Sequence, residues 1–548
     1  HAQSHTLQAR PYCRRMNADL VLIGGRIFTA EADRPFTEAV ASRGDRIVAL
    51  GAEAETMIGP ETTVIDLARA LATPGFIDAH VHPATSGLDK LRCHFDDAHD
   101  AVSAVETVAA YAAASPDLPW IIGAGWAPSW FRGGCPSKEL LDAVVPDRPV
   151  LIPNTDGHGA WANSRALEIA GITADTPDPD DGRIERNLDG SPQGTLHEGA
   201  FDLVMRFAPP DTVADFAAGL IRGQEEMLRH GITGWQDANI GGNIHDAYLE
   251  VSGSGRLVGR VVGAMWWDRL RGLEQMPDLV AGRERSGPRF RPASVKLMVD
   301  GVVENFTASM LTPYFDGDGT LTQNRGIDFI DPEVLKEAVT ALDQLGFQCH
   351  FHAIGDGGVR NALDAIAAAR ASNGPGDNRH HIAHIQLVHP DDIARFAELE
   401  AIANAQPLWA CHDSHQTDLT IPFIGEERYR WQYPFGSLLA AGATMAMGSD
   451  WGVSTCNVME EVDVAITRTG SEGGPLVIEE AIDPVVALTA FTLGSAYVNH
   501  AEDVSGSVAV GKYADFAVLD RDPLREGRFR DAEVVTTVVG GEIVYEGS

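Results

Sequence analysis

The chain has 548 residues, with 42 Lys plus Arg against 78 Asp plus Glu, a formal net charge of −36. That length exceeds one ordinary domain, and apolar and charged fractions of 44% and 22% are those of a folded globular protein. So acidic a surface repels phosphate backbones and anionic membranes, which argues against nucleic-acid and membrane partners, and no apolar run reaches the roughly 18–20 residues of a membrane span.

Residues 1–15 are polar and basic without an apolar stretch, so no secretory signal is expected there and Met16 reads as the natural start. Cys13, Cys93, Cys135, Cys349, Cys411 and Cys456 form no CxxC pair, and they are expected as free thiols in a reducing, cytoplasmic compartment. From residue 17 to about 66, short apolar runs at 18–23, 26–29, 46–50 and 63–66 are separated by the turn pairs Gly24-Gly25 and Gly44-Asp45. The C-terminus repeats this texture at 514–520 and 534–545, the latter broken by Gly540-Gly541. The two ends together predict one small β-sandwich from residues 17–73 plus 501–548.

The middle, residues 74–500, alternates apolar strand runs with helical patterns, the signature of a parallel sheet with helices outside it. Helices are predicted at 332–344, 357–370 and 390–399. Strands are predicted at 294–299, 348–352, 379–384, 401–405 and 444–450. The spacing fits a (β/α)8 TIM barrel. The stretch between His82 and Lys296 far exceeds three βα units of about 30 residues each, so an insertion after the first barrel strand is expected within about 84–230.

That first strand is Thr73-Pro-Gly-Phe-Ile-Asp-Ala-His-Val-His. Residues i and i+2 of a strand share a face, so His80 and His82 leave its end together, close enough to hold one cation. An isolated pair of this kind also fits two satisfied histidines. Here Lys296, His352, His384 and Asp450 follow at the ends of later strands, and barrel active sites lie at the C-terminal strand ends. His350 shares a face with His352, but it and His389, His412 and His415 are expected not to be ligands. Gly355-Asp356-Gly357 reads as the turn and N-cap of the next helix.

On these residues the sequence resembles the amidohydrolase superfamily, in its amidohydrolase-3 (YtcJ-like) branch. The matching stretches are residues 74–82, 156–164, 296–301, 352–356, 382–388, 406–407, 448–450 and 511–520. The resemblance implies that His80, His82 and Asp450 bind one metal and that His352 and His384 bind a second. It implies that Lys296 bridges them as a carbamate. Zn2+ is the expected ion, with Mn2+, Fe2+ or Co2+ fitting the same nitrogen and oxygen donors. An unmodified Lys296 paired with Asp300 or with a substrate carboxylate is the alternative, and the site is then mononuclear. Asp450 is the expected catalytic base, taking a proton from metal-activated water and returning it to the leaving amine.

His158 and Trp161, in the Asp156-Gly-His-Gly-Ala-Trp stretch, are placed near the substrate by the resemblance. Trp126, Trp130, Trp409 and Trp451 are candidates for an apolar pocket wall, with ordinary core packing as the competing role. The expected activity is hydrolysis of the C–N bond of a small amide, an N-substituted formamide or N-acyl compound. A lactone, carbamate or cyclic amide is the alternative substrate, because the same nucleophile attacks any carbonyl. A deaminase is disfavoured because no glutamate follows His352 in Ala353-Ile-Gly-Asp, and a ligand-free binding protein is disfavoured by the full donor set. The resemblance also implies a homodimer.

Overall fold

A computed structural model describes residues 17–547. Cys13 and the Met16 start lie outside the described residues. Eight parallel strands form the central sheet: β1 (Phe76–Val81), β2 (Ile232–Asp237), β3 (Arg260–Trp266), β4 (Phe290–Met298), β5 (Gln348–Ala353), β6 (His381–His384), β7 (Ile402–Ala405) and β8 (Met445–Met447). They follow one another around the sheet in chain order. This is a TIM barrel, with its seam between β8 and β1.

The seam is held by side chains and backbone just past the strands. The Ser449 amide and hydroxyl donate to Asp78 at 3.0 and 2.5 Å. Asn404 Nδ2 donates to the Ala79 carbonyl at 3.0 Å, and the Asp450 amide donates to the His80 carbonyl at 2.8 Å. Only glycine fits at 448, because a Cβ there would lie 2.4 Å from the His80 nitrogen. Burial pushes the Asp78 carboxyl up to about 7, against the lowering effect of the hydrogen bonds it accepts.

The strands are buried on both sides, as parallel barrel strands are; β5 and β6 are buried at every position. Phe76, Trp235, Val295, Phe351 and Met447 belong to one continuous core with the surrounding helices. The helix Pro332–Gln344 starts as its sequence demands, with Pro332 at its first position and the Asp331 carboxylate accepting from the Glu333 and Val334 amides. The next helix, Asp356–Asn373, opens on the expected Gly355-Asp356-Gly357 stretch, one residue before its predicted start. Gly355 is its N-cap and Asp356 is already helical. The Asp356 carboxylate accepts from the Leu311 amide at 3.0 Å, pinning a distant loop.

Outside the barrel lie three further sheets. One has the order Arg46–Leu50, Val40–Arg43, Leu20–Ile23, Thr63–Asp66. A second joins Glu542–Glu546, Val534–Val539 and Phe516–Leu519 to Leu71–Pro74, Arg26–Phe28 and Phe36–Thr37. Leu20, Leu22, Ile27, Phe516 and Val538 form a core shared by these two sheets. Gly540 and Gly541, at φ 60° and 78°, make the left-handed turn between the last two strands.

The third sheet is built between β1 and β2. Its order is Gly182–Arg186, Pro192–Glu198, Gly159–Ala162, Val150–Pro153, Ile121–Ala124, Cys93–His94. Among the described residues no helix is long and apolar enough to cross a membrane, and Cys93, Cys135, Cys349, Cys411 and Cys456 are free thiols.

Candidate metal centre

The barrel brings the donors together because their strands run parallel and in register. Lys296 lies opposite His350, and Met298 opposite His352; Ala353 lies opposite His384. His80 Nε2, His82 Nε2 and His384 Nδ1 lie 3.4, 3.2 and 3.8 Å from the Asp450 carboxylate. One ligand atom each of His80, His384 and Asp450 falls within 4.8 Å of the others. His352 stacks beside His384, with ring centroids 4.4 Å apart. His384 thus stands between His80 and His352, rather than with His352 alone.

Both His384 and Asp450 have left-handed backbones, at φ 77° and 53°. Such strain costs about 1–3 kcal/mol per residue and is held only where the surroundings over-determine it. Here the His384 amide donates to Gln406 Oε1 at 2.7 Å, and the Asp450 amide is tied to His80 as described. Trp409 stacks on the His384 ring at 5.2 Å.

A chain of hydrogen bonds fixes which nitrogen of His80 faces the cluster. Gln348 Nε2 donates to the backbone carbonyls of Arg379 and Val498 at 2.8 and 2.7 Å, so its Oε1 must accept. Gln236 Nε2 donates to that oxygen and to Asn499 Oδ1, at 3.1 and 2.9 Å. Gln236 Oε1 therefore faces His350 Nδ1, 2.7 Å away, and Nδ1 carries the proton. His350 Nε2 is then an acceptor, and His80 Nδ1 donates to it across 2.7 Å. What remains on His80 is the lone pair of Nε2, turned toward Asp450. His350 is thus the partner that orients the His80 ring, as outer-shell groups do at metal sites.

Burial, reinforced by Lys296, pushes the His80 imidazole down to about 3. Burial likewise holds His352 and His384 well below the ordinary histidine range. They are neutral and able to ligate. Burial also lowers the Lys296 amine to about 7, against the pull of Asp450. Among the described residues the Lys296 side-chain amine makes no hydrogen bond or ion pair. Asp300, its alternative partner, instead accepts from the Ser309, Ile354 and Gly355 amides at 2.9, 3.0 and 2.8 Å.

The donor set fits a divalent cation. His352 Nδ1, His384 Nδ1 and Asp450 Oδ1 are buried atoms without a hydrogen-bond partner, and leaving such atoms unpaired is costly unless something charged meets them.

His158 comes from the inserted sheet and reaches this cluster, its ring 5.3 Å from that of His352. Its Nδ1 pairs with Glu198 at 2.9 Å, and Glu198 also accepts from Thr307 Oγ1 at 2.7 Å. Burial opposes a charge on His158, but Glu198 outweighs it, with Asp156 and Asp450 adding, and the imidazole rises to about 9. Glu198 escaped the sequence reading, because nothing in Leu196-His-Glu-Gly marks it. Its φ of 53° is visible only in the fold.

Trp126 and Trp161 sit elsewhere. They pack on each other and on Phe131 in the core of the inserted sheet. Their indole N–H groups donate to the Ile152 and Ser137 carbonyls at 2.8 and 2.9 Å. Trp130 packs on Phe95, and Trp451 is buried, its carbonyl accepting from the His82 amide. Of the other histidines, His389 caps the helix Pro390–Glu398, His412 meets the Gly474 carbonyl at 2.7 Å, and His415 lies 3.7 Å from Glu304.

Comparison with known proteins agrees with this fold. The family model described as "Amidohydrolase family" matches residues 63–545. Protein LONG AFTER FAR-RED 3 of Arabidopsis thaliana is 31% identical, over 96% of this chain and 92% of that protein. The putative amidohydrolase YtcJ of Bacillus subtilis (strain 168) is 29% identical over 96% and 99%. An N-substituted formamide deformylase of Arthrobacter pascens is 27% identical over 96% and 98%. Among solved structures, an uncharacterized metal-dependent hydrolase from Pyrococcus furiosus superposes with a TM-score of 0.70 at 25% identity, covering 92% of this chain and 99% of that one.

Proposed function

The chain belongs to the amidohydrolase family, in its YtcJ-like branch, and from that premise we propose that it hydrolyses the amide bond of a small N-substituted formamide or N-acyl compound. At the coarser level it is a metal-dependent hydrolase acting on carbon–nitrogen bonds other than peptide bonds. The observation that carries the reading is the convergence of His80, His384 and Asp450 at the C-terminal ends of three barrel strands. The formamide class is supported by the deformylase relative.

In this reading His80, His82, His352, His384 and Asp450 hold the cation, and Lys296 bridges as a carbamate if two ions bind. Zinc is our choice among the ions these donors suit. A divalent cation here supplies Lewis acidity, which lowers the pKa of water and polarises a carbonyl. Asp450 accepts the proton of the attacking water on its carboxylate and hands it to the departing amine nitrogen. Glu198 occupies His158 Nδ1, so His158 Nε2–H is the free donor, placed to bond the carbonyl oxygen as it gains negative charge. Gln236 and His350 keep the His80 ring turned toward the cluster. The neutral Lys296 amine is the form that adds carbon dioxide. The same reading carries a homodimer acting on a small molecule.

The test is turnover of the zinc-loaded protein on N-substituted formamides, N-acyl amines, carbamates and lactones. Release of formate or acid together with free amine is expected, falling by roughly 10²–10⁴-fold in Asp450→Asn. Turnover of lactones with no amide cleaved would overturn the substrate assignment.

A further inference from the structure

The inserted sheet carries a second cluster of ligand-type side chains that the barrel mouth does not use. Cys135 Sγ, Glu185 and His197 each offer one atom within 4.8 Å of the other two. His197 Nε2 is the shared member, 3.7 Å from Cys135 Sγ and 3.1 Å from Glu185 Oε1. Glu185 and His197 come from the antiparallel strands Gly182–Arg186 and Pro192–Glu198. Cys135 comes from the loop that precedes the helix Lys138–Asp142.

That loop is fixed in place. Gln193 Nε2 donates to the Cys135 carbonyl at 3.0 Å, Thr195 Oγ1 to the Pro136 carbonyl at 2.8 Å, and Trp161 Nε1 to the Ser137 carbonyl at 2.9 Å. The thiol is therefore held beside the imidazole by bonds at Cys135 and at the two residues that follow it, the preorganisation a metal site needs. His197 is buried, and its Nδ1 has no hydrogen-bond partner. With no acceptor at Nδ1, it is Nε2–H that faces Glu185 and donates to its Oε1. Arg183 meets the same oxygen from the other side, at 2.8 and 2.5 Å, and balances its charge.

Sulfur, imidazole and carboxylate donors gathered on one point suit zinc, and they suit magnesium or calcium poorly. We propose that Cys135, Glu185 and His197 form a second Zn2+ site, separate from the barrel mouth, with solvent completing the coordination. On loading, the Cys135 S–H bond breaks and an S–Zn bond forms, the thiol proton leaving to solvent. The His197 ring proton moves from Nε2 to Nδ1, and the Nε2 lone pair binds the ion. Burial and the Glu185 charge push the metal-free thiol up to about 12. The ion ties the Cys135 loop to a strand whose next residue, Glu198, holds His158.

Among the described residues the ligand group at the barrel mouth includes no cysteine, so a sulfur-to-cobalt charge-transfer band that depends on Cys135 in the Co2+-loaded chain reports this site. The band is expected in the wild type and in Asp450→Asn, and its loss is expected in Cys135→Ser together with one bound zinc per chain. A wild type lacking the band, or a band that survives Cys135→Ser, overturns the proposal. If Cys135→Ser does not fold, alkylation of wild-type Cys135 with and without Zn2+, read by peptide mass spectrometry, decides the matter. Shielding by Zn2+ supports the site, and equal reactivity overturns it.

Discussion

Replacing His350 with phenylalanine removes the acceptor for His80 Nδ1–H, now 2.7 Å away, and the donor to Gln236 Oε1, also 2.7 Å away. His80 is 1% exposed and His350 fully buried, so water does not substitute for either bond. Leaving a buried polar group unpaired costs about 1–3 kcal/mol. The cheapest escape is for His80 to turn and re-pair Nδ1, which takes Nε2 away from Asp450, and the bound cation must oppose that turn. At 1.4 kcal/mol per tenfold, metal affinity falls by roughly 10–100-fold, the range found for outer-shell partners of histidine ligands. His350→Gln, whose amide oxygen still accepts, is expected to recover part of the loss. The assay is competition for Zn2+ between the apoprotein and a chelator of known affinity, with circular dichroism to confirm the fold. A folded His350→Phe protein that binds zinc as tightly as the wild type would refute the tautomer argument.

Further outcomes follow from other parts of the molecule. Native mass spectrometry is expected to show one added carbon dioxide that disappears in Lys296→Ala, with turnover of that variant restored in part by a short carboxylic acid; an unmodified mass at full activity contradicts the bridge. The Asp343 carboxyl is held below its ordinary range first by the His380 hydrogen bond, at 3.0 Å, and then by Asn373 and Asn378. A depressed carboxyl stabilises the fold above its unfolded pKa and loses that contribution as pH falls through the folded value. Asp343→Asn should therefore cost about 1 kcal/mol at neutral pH, the half-buried Asp343 carboxylate being screened by solvent, a gap that narrows in acid; urea unfolding checks this, and a gap independent of pH contradicts it. Trp161→Ala empties a fully buried site beside Trp126 and Phe131. A loss of about 3–5 kcal/mol is expected, read by thermal unfolding, with zinc binding at the barrel mouth unchanged.

Much of the barrel was legible because its strands are apolar and end in chemically unusual residues. The runs at 294–299, 348–352 and 401–405 correspond to β4, β5 and β7, and His80, His82, His384 and Asp450 meet as side-chain spacing and strand direction required. β2 and β3 were not read as strands, since Thr233-Gly-Trp-Gln and Arg260-Val-Val-Gly lack such markers and glycine weakens a strand pattern. The inserted sheet was legible only as surplus length. Its strand Pro192–Glu198 pairs with Gly159–Ala162 and skips Gly182–Arg186 in chain order, and no local pattern encodes that. For the same reason Glu198 and the Gln236–His350 relay were invisible, because their partners lie 40 and 114 residues away. The contact of the Asp356 carboxylate with the Leu311 amide, 45 residues away, was equally hidden from the sequence.

The central claim is that one cation sits among His80, His384 and Asp450 when the enzyme works. Anomalous diffraction at the zinc edge, from crystals of protein whose activity has been measured in the same preparation, tests it most directly. A peak bounded by those three side chains is predicted, vanishing with activity after chelation. Fully active protein with no anomalous signal at that position would contradict the account.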